Sequence, residues 1–588
     1  MEGKMRFDDI LAATGEFGRY QIRLFWVVFV LSIPTAFHAL GIVFLAGRAD
    51  HWCSVPQWDA ENCTSFQLDS TACAQAKRQA SIPPADPNNT EVKGYSQCKM
   101  YNVSGLTLSS LVDFDQENWT MTAPFSRDPM KSDVISCSTG WIFDTSRYKS
   151  TINMEFELVC DRKDLSDISA SMWFVGVLVG SFVFGSLADR IGRCRTLWIC
   201  LVIQLLFGVS VAFAPTFWSF AVLRMIVGSA NIGVYMMCFI IGTEFVGPSK
   251  RVLAGQGINF AFSVGYMGLS VLAYLLRDWH HLQLAISLPI AAFFLFLPIV
   301  PESARWLLSQ GEIERASEII RSIARGNRAN LAEPIFTEND RLEMKKQDDG
   351  KKSILDLFRT PNLRMESLNL VFNWLVENLV YFGLSLGAGD LGVNVYLAAF
   401  VSGAVELPAY ASTLFTLEYF GRRISTCLYL LIAGGACLLT IVIPSGPWKA
   451  AVATIGKFGV TASFGIIFIY TAELYPTPVR SVGLGMCSMS SRVGAVIAPL
   501  IRILGRTWAP LPSLVYGLSS IAAGLLALLL PETRGRKLPE TMEDGENLRN
   551  AEVHYAEVPA VDAEEKPANP TSIPMDDVTT HGDKPDKV

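Results

Sequence analysis

Gly185-Ser-Leu-Ala-Asp-Arg-Ile-Gly-Arg-Cys-Arg195 joins two apolar runs, Ile168 to Leu187 and Thr196 to Phe213. An offset of 229 positions carries Asp189, Gly192 and Arg193 onto Glu418, Gly421 and Arg422, again between apolar runs. The same offset carries Glu244 onto Glu473 and Arg251 onto Arg480. One residue more carries Pro301-Glu302-Ser303 onto Pro531-Glu532-Thr533. These matched landmarks make the chain two parallel copies of one membrane unit, an arrangement found in transporters.

Composition agrees. Of 588 residues, 50% are hydrophobic and 18% charged, and the mean hydropathy is +0.31. The net charge of -6 hides an asymmetry, with arginines in short loops and acids gathered in the C-terminal tail. No basic patch with interleaved aromatics points to nucleic acid. Gly456-Lys457 lacks the preceding glycine-rich pattern of a phosphate loop. No nucleophile–base pair and no metal-ligand spacing stands out, so an enzyme is not expected, and no cofactor is implied.

Hydropathy places a first span at 24–46, spans two to six within 168–300, and spans seven to twelve within 365–530. The expected fold is an all-α polytopic membrane protein of about twelve helices in two six-helix repeats. Residues 1–23 form a polar N-terminus, 301–364 a charged central insert, and 531–588 a tail expected to be disordered. Residues 47–167 form one long polar loop. It holds Cys53, Cys63, Cys73, Cys98, Cys137 and Cys160, and glycosylation sequons at Asn62, Asn88, Asn102 and Asn118. Six cysteines and four sequons in one segment indicate disulfides on the extracellular or luminal side, with connectivity left open. Arg190, Arg193, Arg195, Lys250, Arg251, Arg422, Arg423 and Arg480 share the opposite side by alternation. The positive-inside rule then puts both termini in the cytosol.

Further local motifs sit beside these: Phe7-Asp-Asp-Ile10, Gly15-Glu-Phe-Gly-Arg19, Leu158-Val-Cys-Asp-Arg162, Pro301-Glu-Ser-Ala-Arg-Trp-Leu307, Gly456-Lys-Phe-Gly459, Thr471-Ala-Glu-Leu-Tyr-Pro-Thr477 and Pro531-Glu-Thr-Arg-Gly535. With the signature loop and the Cys-rich segment, the chain resembles the major facilitator superfamily. Within it, the resemblance is to the solute-carrier family of organic cation, organic anion and carnitine transporters, nearest its carnitine and novel-type organic cation members. The resemblance runs from about residue 7 to 540 and implies alternating-access transport of small charged organic solutes at the plasma membrane.

Ionisable groups inside spans are costly, roughly 2.5–3.5 kcal/mol on insertion scales, and so mark candidate sites. Glu406 and Arg492 fall near mid-bilayer, Lys457 about two turns into span ten, and Glu377 and Arg224 at intermediate depth. The resemblance implies that Glu406, Lys457 and Arg492 face one cavity, joined by Trp374 and Tyr381, which share a helix face. Arginine at 492 with Tyr410 in Glu406-Leu-Pro-Ala-Tyr410 is the carnitine-type combination. It suits a zwitterion, with Arg492 or Lys457 taking a carboxylate while Glu406 and aromatic faces take a quaternary ammonium. Helix pairing alone would explain Glu406 equally well, and Arg224 reads as a packing residue. An organic-anion exchanger is the alternative, and a non-transporting receptor the alternative from another class. Sodium or proton coupling through Glu406 or Glu244 stays open.

The matched charges Asp189, Arg190, Gly192, Arg193, Glu244, Arg251, Glu418, Gly421, Arg422, Glu473 and Arg480 are expected to form an inner gate that latches the outward-open state. Acids contribute little to topology, so the positive-inside rule does not account for them. The terminal Asp586-Lys-Val588 could dock a PDZ-type scaffold by strand addition.

Overall fold

The computed structural model describes residues 7–59, 77–78, 81–83, 95–102, 112–114, 119–121, 134–331, 335–336, 353–536 and 538–550. Cys63, Cys73, Asn62, Asn88, Asn118 and Asp586–Val588 lie outside them. Ten helices have the length and apolar composition to cross a membrane. Span 1 is Arg19–Leu40, span 2 Asp164–Ile191, span 3 Arg193–Val211, span 4 Phe217–Glu244 and span 5 Arg251–Leu275. Span 7 is Pro361–Leu386, and span 8 is broken into Val395–Ala404 and Glu406–Tyr419. Span 9 is Gly421–Val442, span 10 Pro447–Leu474 and span 11 Arg480–Leu504. The stretch expected as span 6 is divided around Pro289 and Pro298 into Trp279–Ser287, Ile290–Phe293 and the single turn Leu297–Ile299. A proline cannot donate to the helical ladder and crowds the preceding turn. The expected span 12 is Leu511–Ala527, at 17 residues shorter than the others.

Contacts between helices reproduce the repeat read from the loops. Span 1 packs on spans 4 and 5, and span 7 on spans 10 and 11; spans 2 and 3 pack on span 4, and spans 8 and 9 on span 10. The halves meet where span 2 lies against span 11 and span 5 against span 8, two contacts that the repeat exchanges. Small residues permit this closeness. A Cβ on Gly176 would stand 2.0 Å from the Met225 carbonyl oxygen, one on Gly180 2.3 Å from that of Ser229, and one on Gly494 2.1 Å from that of Leu375. In hydrocarbon such close backbone approach replaces the hydrophobic drive that lipid does not supply.

The signature loop has the same construction in both copies. Gly192 (φ +106°) and Gly421 (φ +77°) turn the chain through a region that side chains disfavour. At Gly192 the Glu302 carboxylate accepts from the backbone N–H groups of Arg193 at 2.7 Å and Cys194 at 3.1 Å. At Gly421 the Glu532 carboxylate accepts from Arg422 at 2.9 Å and Arg423 at 3.0 Å. Each acid satisfies orphan donors at the start of the following helix and complements its dipole. The glycine also leaves room, since a Cβ there would lie 2.4 Å from Glu302 or 2.7 Å from Glu532.

Disulfides join Cys53 to Cys137 and Cys98 to Cys160 in the long loop, beside three two-stranded antiparallel ladders. Its last part covers the same end of both halves: Asn153 donates to the Ala46 carbonyl at 2.7 Å, and the Tyr396 hydroxyl donates to the Arg147 carbonyl. Asn102 is exposed at the end of a strand. The tail begins ordered, contrary to expectation. The helix Met542–Glu546 brings Glu546 to the start of span 7, where it accepts from the N–H groups of Asn362 and Leu363 at 3.0 and 3.2 Å. The charge-rich composition of the tail concealed this cap. Residues 551–588 lie outside the described residues.

Gly180→Leu would force spans 2 and 4 apart, with a cost above the usual 1–3 kcal/mol of overpacking because the obstacle is backbone. Gly180→Ala should lower the melting temperature in detergent, and Gly180→Leu should abolish the monodisperse peak in size-exclusion chromatography. A leucine variant as stable as the parent would refute this packing.

Candidate functional site

Glu406 opens the second segment of span 8, directly after the break at Val405. The helical course continues through that point: Val405 is right-handed helical, donates to the Val401 carbonyl at 2.9 Å and accepts from Ala409 at 3.2 Å, and Pro408 is what removes a ladder donor there. The side chain is fully buried, as is Lys457, at 0% and 1% exposure. Lys457 Nζ stands 3.1 Å from Glu406 Oε1 and 3.1 Å from the centre of the Tyr381 ring, and donates to Ser385 Oγ at 2.5 Å. The Tyr381 hydroxyl donates to Glu406 Oε1 at 2.7 Å, and Ser263 of span 5 donates to Oε2 at 2.7 Å. Spans 5, 7, 8 and 10, from both halves, therefore converge on one carboxylate. Leaving either charge buried alone would cost about 3–5 kcal/mol.

Trp374 belongs to the same face of span 7 but bonds elsewhere, its indole N–H donating to Thr471 Oγ1 at 2.9 Å. A row of rings runs from it into the other half. Trp374 meets Phe468 at 4.4 Å between centroids, Phe468 meets Phe464 at 5.3 Å and Phe239 at 6.3 Å, and Phe239 meets Tyr235 at 6.5 Å. Tyr235, Phe239, Phe464 and Phe468 are all partly exposed. Asn259 accepts from the Tyr235 hydroxyl at 2.8 Å, and Gln256 donates to the Gly465 carbonyl across the two halves at 3.2 Å.

Arg492 is set apart from the Glu406–Lys457 pair. It is half-buried and donates to Ser181 of span 2 and to Ser488 and its carbonyl. Among the described residues it has no carboxylate partner, although it lies within electrostatic reach of the Tyr235 phenol. Of the expected cavity charges, two are joined and one is left unpaired. Glu377, between Trp374 and Tyr381 on the same face, is buried and accepts from Ser463 at 2.5 Å through Oε1. Arg224 donates to the His38 carbonyl at 3.1 Å and stacks over Trp173 at 4.6 Å, as a packing residue would.

At the signature-loop end, charges pair within each half. Arg193 reaches Asp189 at 3.2 Å and Glu244 at 3.9 Å. Arg422 grips Glu473 through two bonds of 2.8 and 2.9 Å, and Thr533 donates to the same carboxylate. Arg422 thus pairs with Glu473 and not with Glu418, which is exposed and unpartnered among the described residues. Arg251 binds Asp8 of the short helix Phe7–Ala13. Burial raises the Asp8 carboxyl, but the hydrogen bond and charge of Arg251 outweigh it and hold the group below the usual carboxylate range. Arg480 donates to the carbonyls of Tyr475 and Pro539, and Arg190 is exposed. None of these contacts crosses between halves.

Ion pairs that do join the halves lie at the opposite end. Arg48 pairs with Asp390 of the other half at 3.3 Å, and Asp167 pairs with Arg502 at 3.4 Å and with Arg506, which also binds Asp164; within the C-terminal half Arg502 holds Asp390 at 2.8 Å. Sequence reading passed over these six residues. The available signal was Arg502 and Arg506, basic groups on the side where the positive-inside rule leaves few. It also missed Ser263, Ser385 and, of the aromatic row, Tyr235, Phe239, Phe464 and Phe468, whose residue types are ordinary in any span.

The family described as "Sugar (and other) transporter" matches residues 132–544. The chain is 39% identical over 552 residues to the organic cation transporter protein of Drosophila melanogaster, covering 92% of this chain and 95% of that one. It is 36% identical to solute carrier family 22 member 3 of Mus musculus, with 93% and 97% covered. It is 34% identical to the organic cation/carnitine transporter 2 of Homo sapiens, with 91% and 93% covered. Among solved structures, the proton:xylose symporter XylE of the major facilitator superfamily aligns with a TM-score of 0.53 at 20% identity, over 68% of this chain and 93% of that one. By this family match and these relatives the chain belongs to the sugar (and other) transporter family and, within it, to solute carrier family 22: it is a multi-pass membrane transporter, not an enzyme.

Proposed function

We propose that the chain carries carnitine-like zwitterions and organic cations across the plasma membrane, with both termini in the cytosol and the Cys-rich loop outside. The observation that carries the substrate reading is Arg492, a cation without a carboxylate partner beside a row of partly exposed aromatic rings. A guanidinium with free donors suits a substrate carboxylate, and aromatic faces suit a quaternary ammonium. Glu406 and Lys457 satisfy each other and hold spans of both halves at the level of the site. An organic-anion exchanger is the second reading, favoured by the same unpaired Arg492. Asn102 glycosylation, sodium or proton coupling and a PDZ-type partner at Val588 belong to this reading as proposals.

Under that orientation the structure is inward-facing. The outer charges clasp the halves together, while the inner ones pair at home. The inner latch of the outward-open state would then form when Asp189 and Glu418, now exposed at matched positions, exchange partners across the halves. Substrate moves the equilibrium only through its different affinity for the two states.

Tracer uptake of carnitine, a quaternary ammonium and an aromatic carboxylate should show carnitine favoured. Arg492→Asp should reduce carnitine uptake at least about tenfold, the equivalent of about 1.4 kcal/mol of lost binding, with the quaternary ammonium gaining relative to it. Carboxylate uptake alone would establish the anion reading, and an unchanged profile in Arg492→Asp would remove that residue from the site.

Lys457→Met leaves Glu406 buried without its cation and should sharply lower thermal stability; adding Glu406→Gln should restore part of it. Additive losses in the double variant would contradict the pairing.

Arg506→Gln should loosen the outer clasp. Ser171, buried where span 2 meets span 11, donates to the Val496 carbonyl at 3.1 Å. Ser171→Cys should therefore react faster with an impermeant thiol reagent added outside when Arg506→Gln is also present. Equal rates would show that these ion pairs do not hold the outer side shut.

A further inference from the structure

Two carboxyls lie wholly buried in the C-terminal half beside the aromatic row, and they are treated differently. Glu406 has a lysine, a phenol and a serine hydroxyl around it, as a carboxylate requires. Glu377 has only the Ser463 hydroxyl, on Oε1, while its buried Oε2 has no hydrogen-bond partner. The elements packed against span 7 supply no compensating charge to it. On span 10, Lys457 is committed to Glu406, Glu473 lies at the inner end with Arg422, and Lys449 sits in the first turn. On span 11, Arg492 bonds to Ser181 and Ser488, Arg502 to the outer acids, and Arg480 to backbone carbonyls. The helix Leu511–Ala527 carries no charged residue, and Tyr516 there donates to the Ala498 carbonyl. On span 7 itself, Glu366 faces Arg549, and the Tyr381 hydroxyl is spent on Glu406. A carboxylate so placed would be uncompensated in a low-dielectric interior, whereas its neutral acid loses one hydrogen bond.

The position is not remote from the proposed site. Trp374, Glu377 and Tyr381 recur at helical spacing on one face of span 7, and Ser463 is the chain neighbour of Phe464, a partly exposed member of the aromatic row.

We propose that Glu377 is a proton-carrying carboxyl that exchanges its proton for the positive group of the substrate. With the site empty, Glu377 is the neutral acid. When an onium group settles among the rings of Trp374, Phe464 and Phe468, the O–H bond breaks and the proton passes to water on the side from which the substrate entered. The carboxylate left behind neutralises the bound cation. When the substrate leaves on the other side, Glu377 takes a proton from water there. For a cation one positive charge crosses in each direction, and for a zwitterion a proton leaves as a solute of no net charge enters; in both cases the cycle is an antiport in which a proton gradient drives solute uptake. This inference rests on the transport reading above and adds its driving force.

The test uses the full-length protein in proteoliposomes at clamped membrane potential, with labelled carnitine and labelled tetraethylammonium as probes. Counterflow, in which unlabelled solute inside drives entry of labelled solute, reports transport without any gradient. An acidic interior should raise initial uptake at least about fivefold over equal pH. Glu377→Gln should abolish that stimulation and weaken counterflow of both probes, and Glu377→Asp should keep both. Counterflow by the parent protein with no response to the proton gradient would overturn the role of Glu377 and leave the transport reading intact. The absence of counterflow with either probe would remove the transport reading and this inference together. If Glu377→Gln fails to fold, Ser463→Ala serves in its place: it removes the one hydroxyl that stabilises the ionised form, and should move the pH of half-maximal uptake upward. An unmoved midpoint would overturn the proposal.

Discussion

The buried pair of Glu406 and Lys457 is the constraint on which the centre of this protein depends. Neither side chain could stay in the membrane interior alone, and each accounts for the other's placement. The local backbone brings the partners to this pair. Span 8 is interrupted for one residue at Val405, beside Glu406, where Pro408 withholds a ladder donor. Span 7 presents Tyr381 and Ser385 one turn apart, so that one ring and two hydroxyl-bearing side chains complete the shell. Ser263 joins the shell from the other half, so the knot is also an attachment between halves that must slide or rotate.

The repeated loops answer a different requirement. Glu302 and Glu532 each cap a helix across a positive-φ glycine, turning a sequence motif into a rigid corner at the same end of each half. Rigid corners let each half move as a body, and the contacts that change can then be confined to the seam between spans 2 and 11 and between spans 5 and 8. The contrast between ends follows from this. Among the described residues, arginines held by acids of their own half leave the signature-loop end of the seam without ionic attachment, while Arg48, Arg502 and Arg506 bind acids across the seam at the opposite end.

Much of this was legible in the sequence because it is periodic. The 229-residue offset disclosed the repeat, and apolar runs placed most of the helices. Six cysteines disclosed the stapled loop, although the pairing of Cys53 with Cys137 and of Cys98 with Cys160 required coordinates. Glu406, Lys457 and Arg492 stood out by their cost in hydrocarbon, but cost says nothing about who pairs with whom. Arg422 chooses Glu473, separated from it by a whole helix hairpin, and not Glu418 in its own loop. Phe239 and Phe468 were invisible as site residues because an aromatic residue in a span has no cost to betray it. The ordered start of the tail was hidden for the opposite reason: its charged composition resembles disorder, while a single carboxylate, Glu546, finds the helix start at Asn362.

The distribution of charge also sets how the cycle can run. A transporter that held both seams with equal ion pairs would be trapped between states, and one that held neither would leak. Here the clasp joins three arginines to three aspartates; Arg48, Asp164 and Asp390 are about half exposed, so solvent screens their pairs, while the buried Asp167 is held by Arg502 and Arg506 together. A set of such pairs can open one after another without stranding a charge in hydrocarbon. The deep pair, by contrast, keeps its partners through the movement, because separating it would cost several kcal/mol with nothing gained at the rim. Strong interactions at the pivot and weak, numerous ones at the gates let a small charged solute, contributing only its difference in affinity between states, decide which gate is open.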